Sequence, residues 1–281
     1  MAPSATAQMP AQTIRSALLS FDVAKLSDRE VVVLAAQIHQ SLVAEAKALL
    51  DSPVTAPIGR SILAQDTLTD AIAANLARRL CDDPEAEQSF FRIGSAILAR
   101  PAERRALVAD VAKAWRADPA VSSMLQPIFF FKGFQAIATH RIAHSLWLEP
   151  SASAGASMAL WLQSRVSEAF GVDIHPGATI GRGVMLDHAT GIVIGGTASI
   201  GDDVYVLHGV TLGATGRPTA GKKRHPSIGN GVNVGAGATL LGDILVGNGA
   251  VVGGAAIVTK EVPAGRTVVG VNRVTQAQSR L

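Results

Sequence analysis

The stretch Ile228-Gly-Asn-Gly-Val-Asn-Val234-Gly-Ala-Gly-Ala-Thr-Leu240-Leu-Gly-Asp-Ile-Leu-Val246-Gly-Asn-Gly-Ala-Val-Val252-Gly-Gly-Ala-Ala-Ile-Val258 places an aliphatic residue at every sixth position. The same count runs through Ile174, Ile180 and Leu186, and again through Ile194, Ile200, Val206 and Leu212. Gly follows the aliphatic residue in eight of these thirteen hexads, and 23 of the 27 glycines lie at or after Gly171. A period of six fits neither an amphipathic helix nor an alternating strand. It is the signature of a hexapeptide parallel β-helix, in which a short strand points its branched side chain inward and Gly turns the corner. Three hexads close one coil, which predicts that residues eighteen apart stack on one face. By analogy with hexapeptide folds, the helix is left-handed.

The rhythm breaks twice: eight residues separate Leu186 from Ile194, and sixteen separate Leu212 from Ile228. The second gap predicts a loop, 214–227, that leaves the prism. It carries Arg217, Lys222, Lys223 and Arg224 and no acidic residue.

Upstream the period changes. Ser27-Asp-Arg-Glu30 is a capping box opening a helix whose apolar face runs Val31, Ala35, Ile38, Leu42, Ala46 and Leu49, stopped at Asp51-Ser52-Pro53. Thr67 caps a second helix bearing Leu68, Ile72, Leu76 and Leu80. Further helices are expected over 85–100 and 102–115, after Pro127, and through Trp161 to Phe170, with a hairpin tip at 149–155. The fold class is therefore α+β and multidomain, an N-terminal α-helical bundle followed by a C-terminal left-handed parallel β-helix. The expected division is a flexible leader (1–26), the helical domain (27–171), the β-helix domain (172–262) and a C-terminal tail (263–281).

A net charge of +3 gives little warrant for nucleic-acid binding. No apolar run reaches a membrane span. A single cysteine, Cys81, excludes an intramolecular disulfide and fits a reducing compartment. The Ala/Ser-rich, acid-poor start resembles an organellar transit peptide, but it offers only Arg15 as a cation. The cytoplasm is the expected location, with organellar targeting as the lesser alternative.

Titratable residues at β-helix corners are out of place, because tight corners favour small side chains. Asp173, His175, Asp187 and His188 cluster there, with His175 after Ile174 and Asp187 after Leu186 replacing the usual Gly and His188 following Asp187. A His held by a carboxylate is a general-base arrangement. The competing reading is that these groups bond only to loop backbone. The eighteen-residue register would set Asp173 near Gly191, three residues beyond His188. His208 has no carboxylate beside it in sequence. Asp118-Pro119 fits a helix start with Asp as N-cap. His140 and His144 are four apart on one helix, but no third ligand is evident, so no metal site is expected. The loop cations suit recognition of carboxylate or phosphate. Together these features point to acyl transfer from a phosphate-bearing donor.

At these residues the sequence resembles the serine O-acetyltransferases. The matching segments are Asp118-Pro-Ala-Val, Lys132-Gly-Phe134, Val172-Asp-Ile-His-Pro176, Gly181-Arg-Gly-Val-Met-Leu-Asp-His-Ala-Thr-Gly191, Val210-Thr-Leu-Gly213 and Arg224-His-Pro226. The resemblance implies acetyl transfer from acetyl-CoA to L-serine, giving O-acetyl-L-serine, the first step of cysteine synthesis, without an acyl-enzyme. It makes His188 the catalytic base and Asp173 its support. It assigns Asp118 and Asp187 as serine-binding carboxylates, and Arg224 and His225 as the groups meeting the serine carboxylate. Acetyl-CoA, a co-substrate with no permanent cofactor beside it, is implied to touch Gly213, Ala214, Thr215, Gly216 and Ala236, with Lys222 and Lys223 at its phosphates.

The resemblance further implies a homotrimer or dimer of trimers and feedback by L-cysteine at the serine site. Family members that dock into O-acetylserine sulfhydrylase use a tail ending in Ile; a tail ending in Leu281 argues against that partner. Three rival readings remain: a hexapeptide acetyltransferase for a sugar or antibiotic hydroxyl, a zinc lyase of the carbonic-anhydrase type, and a non-catalytic scaffold, which would leave the Asp187-His188 departure from the repeat unexplained. The second needs a His-x4-His pair in the β-helix, and His175, His188, His208 and His225 do not supply one.

Overall fold

The computed structural model describes Leu18 and residues 23–149, 153–216 and 223–270. Among the described residues seven α-helices precede the strands: α1 (Asp28–Ala48), α2 (Ala56–Leu63), α3 (Leu68–Leu80), α4 (Pro84–Leu98), α5 (Pro101–Ala117), α6 (Lys132–Leu148) and α7 (Ser153–Phe170). The Ser27 capping box forms as expected, with Glu30 N bonded to Ser27 Oγ and Ser27 N to Glu30 Oε2. Thr67 caps α3 and Asp83 caps α4.

Four features depart from the sequence reading. Helix α2 was not foreseen. It packs on α1 so closely that a Cβ on Gly59 would lie 2.8 Å from Ala46 O. The long helix expected after Pro127 begins only at Lys132: Pro127 itself lies in a five-residue π turn (Gln126–Phe130), and the extended Phe131 separates that turn from α6. Asp118 is not a helix N-cap but the C-cap of α5, and its Oδ1 accepts Ala120 N–H at 2.8 Å in a local turn. Leu18 and Val23 are buried in the helical core, and Arg105 Nη1 donates to Val23 O at 3.1 Å, so this packing begins ahead of residue 27.

From Val172 the chain winds a parallel β-helix with three faces. The first face stacks β1 (Val172–Ile174), β4 (Ile192–Ile194), β7 (Thr211–Gly213), β10 (Thr239–Leu241) and β13 (Ile257–Val258). The second stacks β2 (Thr179–Ile180), β5 (Ser199–Ile200), β8 (Ser227–Ile228) and β11 (Leu245–Val246). The third stacks β3 (Met185–Asp187), β6 (Tyr205–Leu207), β9 (Asn233–Val234), β12 (Val251–Val252) and β14 (Thr267–Val268). All the hexad aliphatics except the half-buried Ile180 are buried, and so is a second column two residues ahead, among them Val172, Ala178, Val184, Ile192, Ala198 and Val204. At one corner a polar ladder ties coil to coil: Arg182 N to Asp202 Oδ1, Asp202 N to Asn230 Oδ1, and Asn230 N to Asn248 Oδ1.

The eight-residue step lengthens the first coil. Asp173 pairs with Val193 rather than lying by Gly191, because two extra residues enter the corner at His188. The eighteen-residue step holds at Val193 opposite Thr211 and at Ser227 opposite Leu245, whereas the coil that carries the loop spans twenty-eight residues, from Ser199 to Ser227.

The helical domain grips this first coil. Arg141 of α6 donates to Asp110 Oδ2 of α5 through Nε at 3.0 Å and Nη2 at 2.8 Å, and also to Gly181 O. Asp110 Oδ1 accepts Val184 N–H at 2.9 Å. Burial pushes the Asp110 carboxyl up to about 6, against the pull of Arg141.

Candidate active site

His188 sits where the third face turns into the first, on a backbone in the left-handed region at φ 56°, followed by Ala189 at φ 53°. L residues enter that region at a cost, so the corner is strained and its side chain is thrown outward. The His188 side chain is 77% exposed, and its Nε2 lies 3.9 Å from Asp187 Oδ1. His208, one coil on, meets it edge-on with ring centroids 6.0 Å apart.

A cleft of about 350 Å³ opens beside this corner, lined by Asp118, Asp187, His188, Lys132, Arg79 and Phe170 among others. Lys132 Nζ bonds Thr190 Oγ1, which fixes the base of the corner. Tyr205 Oη donates to Asp187 Oδ2 at 2.7 Å. Two carboxylates and an imidazole therefore face one space, which suits an ammonium group beside a group that yields a proton.

The other candidates lie on the next corner, between the first and second faces. The His225 ring packs on Gly195, where a Cβ would come 2.1 Å from its Nε2. Its Nδ1 accepts Thr197 N–H at 3.1 Å, so the neutral ring carries its proton on Nε2. Arg224 N donates to Thr197 Oγ1 at 3.0 Å. Burial first, then Arg224 and His175, holds His225 below the usual imidazole range. His175 likewise accepts Gly177 N–H on Nδ1 at 2.9 Å, and burial outweighs Asp173 to lower it too.

The structure thus brings His188, Asp187 and Asp118 together and leaves Arg224 and His225 on a different edge of the same prism. Asp173 lies on the first face with Oδ1 held by Gln163 Nε2 at 2.6 Å. Among the described residues no hydrogen bond joins it to His188 within one chain. The donor candidates divide the same way. Ala236 shares the edge of His188, two coils on, linked through the backbone bonds Gly209 N to Thr190 O and Gly237 N to His208 O. Gly213 ends β7 on the first face, and Ala214, Thr215 and Gly216 follow it on the His225 side. Lys223 Nζ is bonded to Ser199 Oγ and Ser227 Oγ on its own prism. Lys222 falls outside the described residues, as do residues 271–281. Among the described residues no group of three His, Cys, Asp or Glu side chains is placed to hold a metal ion.

Sequence reasoning missed Tyr205, Gln163 and Arg79. The signal for Tyr205 was its place beside Met185, but the twenty-residue first coil hides that register.

The serine acetyltransferase N-terminal family profile matches residues 38–139. Probable serine acetyltransferase 4 of Oryza sativa subsp. japonica is 47% identical over 185 residues, covering 65% of this chain and 57% of that protein. The chain spans 57% to 60% of the length of three curated relatives, this rice protein among them. Soybean serine acetyltransferase complexed with serine superposes with a TM-score of 0.78 at 39% identity, covering 85% of this chain and 97% of that one. The serine acetyltransferase of Brucella abortus strain S19 in complex with coenzyme A gives a TM-score of 0.77 at 40% identity, over 83% and 92% of the two chains. A helical domain gripping a hexapeptide prism, an outward histidine beside paired carboxylates, and these likenesses along its length lead to one conclusion: the chain belongs to the serine acetyltransferase family.

Proposed function

We propose that this protein transfers the acetyl group of acetyl-CoA to the hydroxyl of L-serine. The observation that carries the reading is His188, exposed on a strained corner beside Asp187 and Asp118 in one cleft. The two carboxylates suit the serine ammonium group, and the imidazole suits removal of its hydroxyl proton. That oxygen attacks the thioester carbonyl, the carbon–sulfur bond breaks, and protonated His188 returns the proton to the CoA thiolate. No acyl-enzyme is required. Arg224 and His225 are assigned to the serine carboxylate.

Because those groups occupy two edges of one prism, the complete site forms between neighbouring copies, with His188 from one and Arg224 from the next. This favours a trimer, which the helical domains pair into a hexamer. L-cysteine, which shares the ammonium and carboxylate of serine, is expected to compete at the same site.

Release of CoA thiol from acetyl-CoA, with and without L-serine, tests the proposal. Serine-dependent release supports it. Release that needs a sugar or aminoglycoside instead, or none with any acceptor, refutes it. Sedimentation of the same sample tests the assembly, and a monomer with full activity would overturn the shared site.

A further inference from the structure

Tyr205, the chain's single tyrosine, has no part in the chemistry set out above. It lies on β6 directly opposite Met185 of β3, and Asp187 is the next outward residue on that strand. The phenol reaches diagonally across the face until Oη donates to Asp187 Oδ2 at 2.7 Å. That bond leaves Oδ1 as the oxygen nearer His188, 3.9 Å from its Nε2. Burial, the bond to Asp187 and the charges of Asp187 and Asp118 hold the phenol above its ordinary range, so it stays a donor. Asp118, the second carboxylate, lines the same cleft as Asp187 and His188.

A carboxylate turns easily about its terminal torsion. A charge-assisted hydrogen bond to one oxygen stops that rotation. Without it, Asp187 is free to swing toward His188 and away from Asp118.

We propose that Tyr205 is a positioning residue for amino-acid recognition, locking the Asp187 carboxylate in the rotation that meets the acceptor's ammonium group together with Asp118. This rests on the reading of Asp118 and Asp187 as the ammonium-binding pair. The acceptor class is a primary alcohol bearing an adjacent ammonium group, and the tyrosine acts on the ammonium end alone.

The test is Tyr205→Phe, which keeps the ring and removes only the hydroxyl. Its KM for L-serine should rise about tenfold, in line with one hydrogen bond to a charged group. Its kcat should stay within about twofold, and its KM for acetyl-CoA should not move. A purely structural tyrosine predicts a lower Tm with both KM values unchanged, and that result overturns the proposal. Asp187→Asn, assayed alongside, separates the two levels. If Asp187→Asn leaves the serine KM unchanged, the ammonium assignment fails and the proposal with it. If Asp187→Asn raises the serine KM and Tyr205→Phe does not, only the role of the tyrosine is refuted.

Discussion

His188 Nε2 stands 3.9 Å from Asp187 Oδ1, on a residue whose backbone is held at φ 56°. The strain and the exposure belong together: the corner that presents the imidazole is one an L residue enters at a cost. His188→Ala should keep the fold and lose turnover by roughly 10²–10⁴-fold. His188→Gly should lose turnover equally while gaining about 1 kcal/mol of stability from the relieved corner. Turnover assays with urea denaturation check both, and near-normal activity in either variant would remove His188 from the mechanism.

The Asp110–Arg141 pair is buried on both sides, with side-chain exposures of 1% and 6%. It also holds Val184 N and Gly181 O of the first coil. Removing one partner strands a buried charge. Asp110→Ala should therefore destabilise the protein by about 3–5 kcal/mol, whereas exposed Arg100→Ala, which breaks the pair with Glu149, should cost under about 1 kcal/mol. Equal denaturation midpoints for the two variants would contradict this.

Gly133, the second residue of α6, lies so close to the prism that a Cβ there would sit 1.9 Å from Leu186 O. Gly133→Ala must push α6 off β3 one residue before Asp187. A loss of about 1–3 kcal/mol is expected, together with a raised KM for serine. A variant with wild-type stability and kinetics would show that the helix gives way freely.

His140 is buried between the helical domain and the prism, and burial, then His144 and Arg141, holds its imidazole down to about 3. A base depressed in the folded state but ordinary when unfolded (about 6.5) takes up a proton preferentially on unfolding. Its contribution is full above pH ~6.5 and is lost as pH falls toward the folded value, at about 1.4 kcal/mol per pH unit. Urea midpoints between pH 7 and 4 should fall accordingly, and His140→Leu should flatten that slope. An unchanged slope in the variant would refute the assignment.

The prism was legible because each hexad settles its own inward residue: Leu212 or Val234 needs only its own corner to find the core. The capping of α1 was equally local. What escaped depended on partners distant in sequence. Helix α2 holds because Gly59 lets it lie on α1, which neither segment reveals alone. Asp118-Pro119 reads the same whether it begins a helix or ends one, and the end of α5 decided it. The pairing of Asp173 with Val193 turned on where two inserted residues went. The separation of His188 from Arg224 and His225 by one prism edge follows from the same count, carried around the coil.

A solenoid of identical coils has a hidden freedom: its layers are interchangeable, so a whole-turn slip would meet equivalent aliphatics and find little to oppose it. The overlong first coil removes that freedom. It matches no layer above it, and the helical domain clasps it at Gly181 and Val184. The irregular turn thus works as an index mark. The residues that make the prism chemically competent are also those that tell the chain where counting begins.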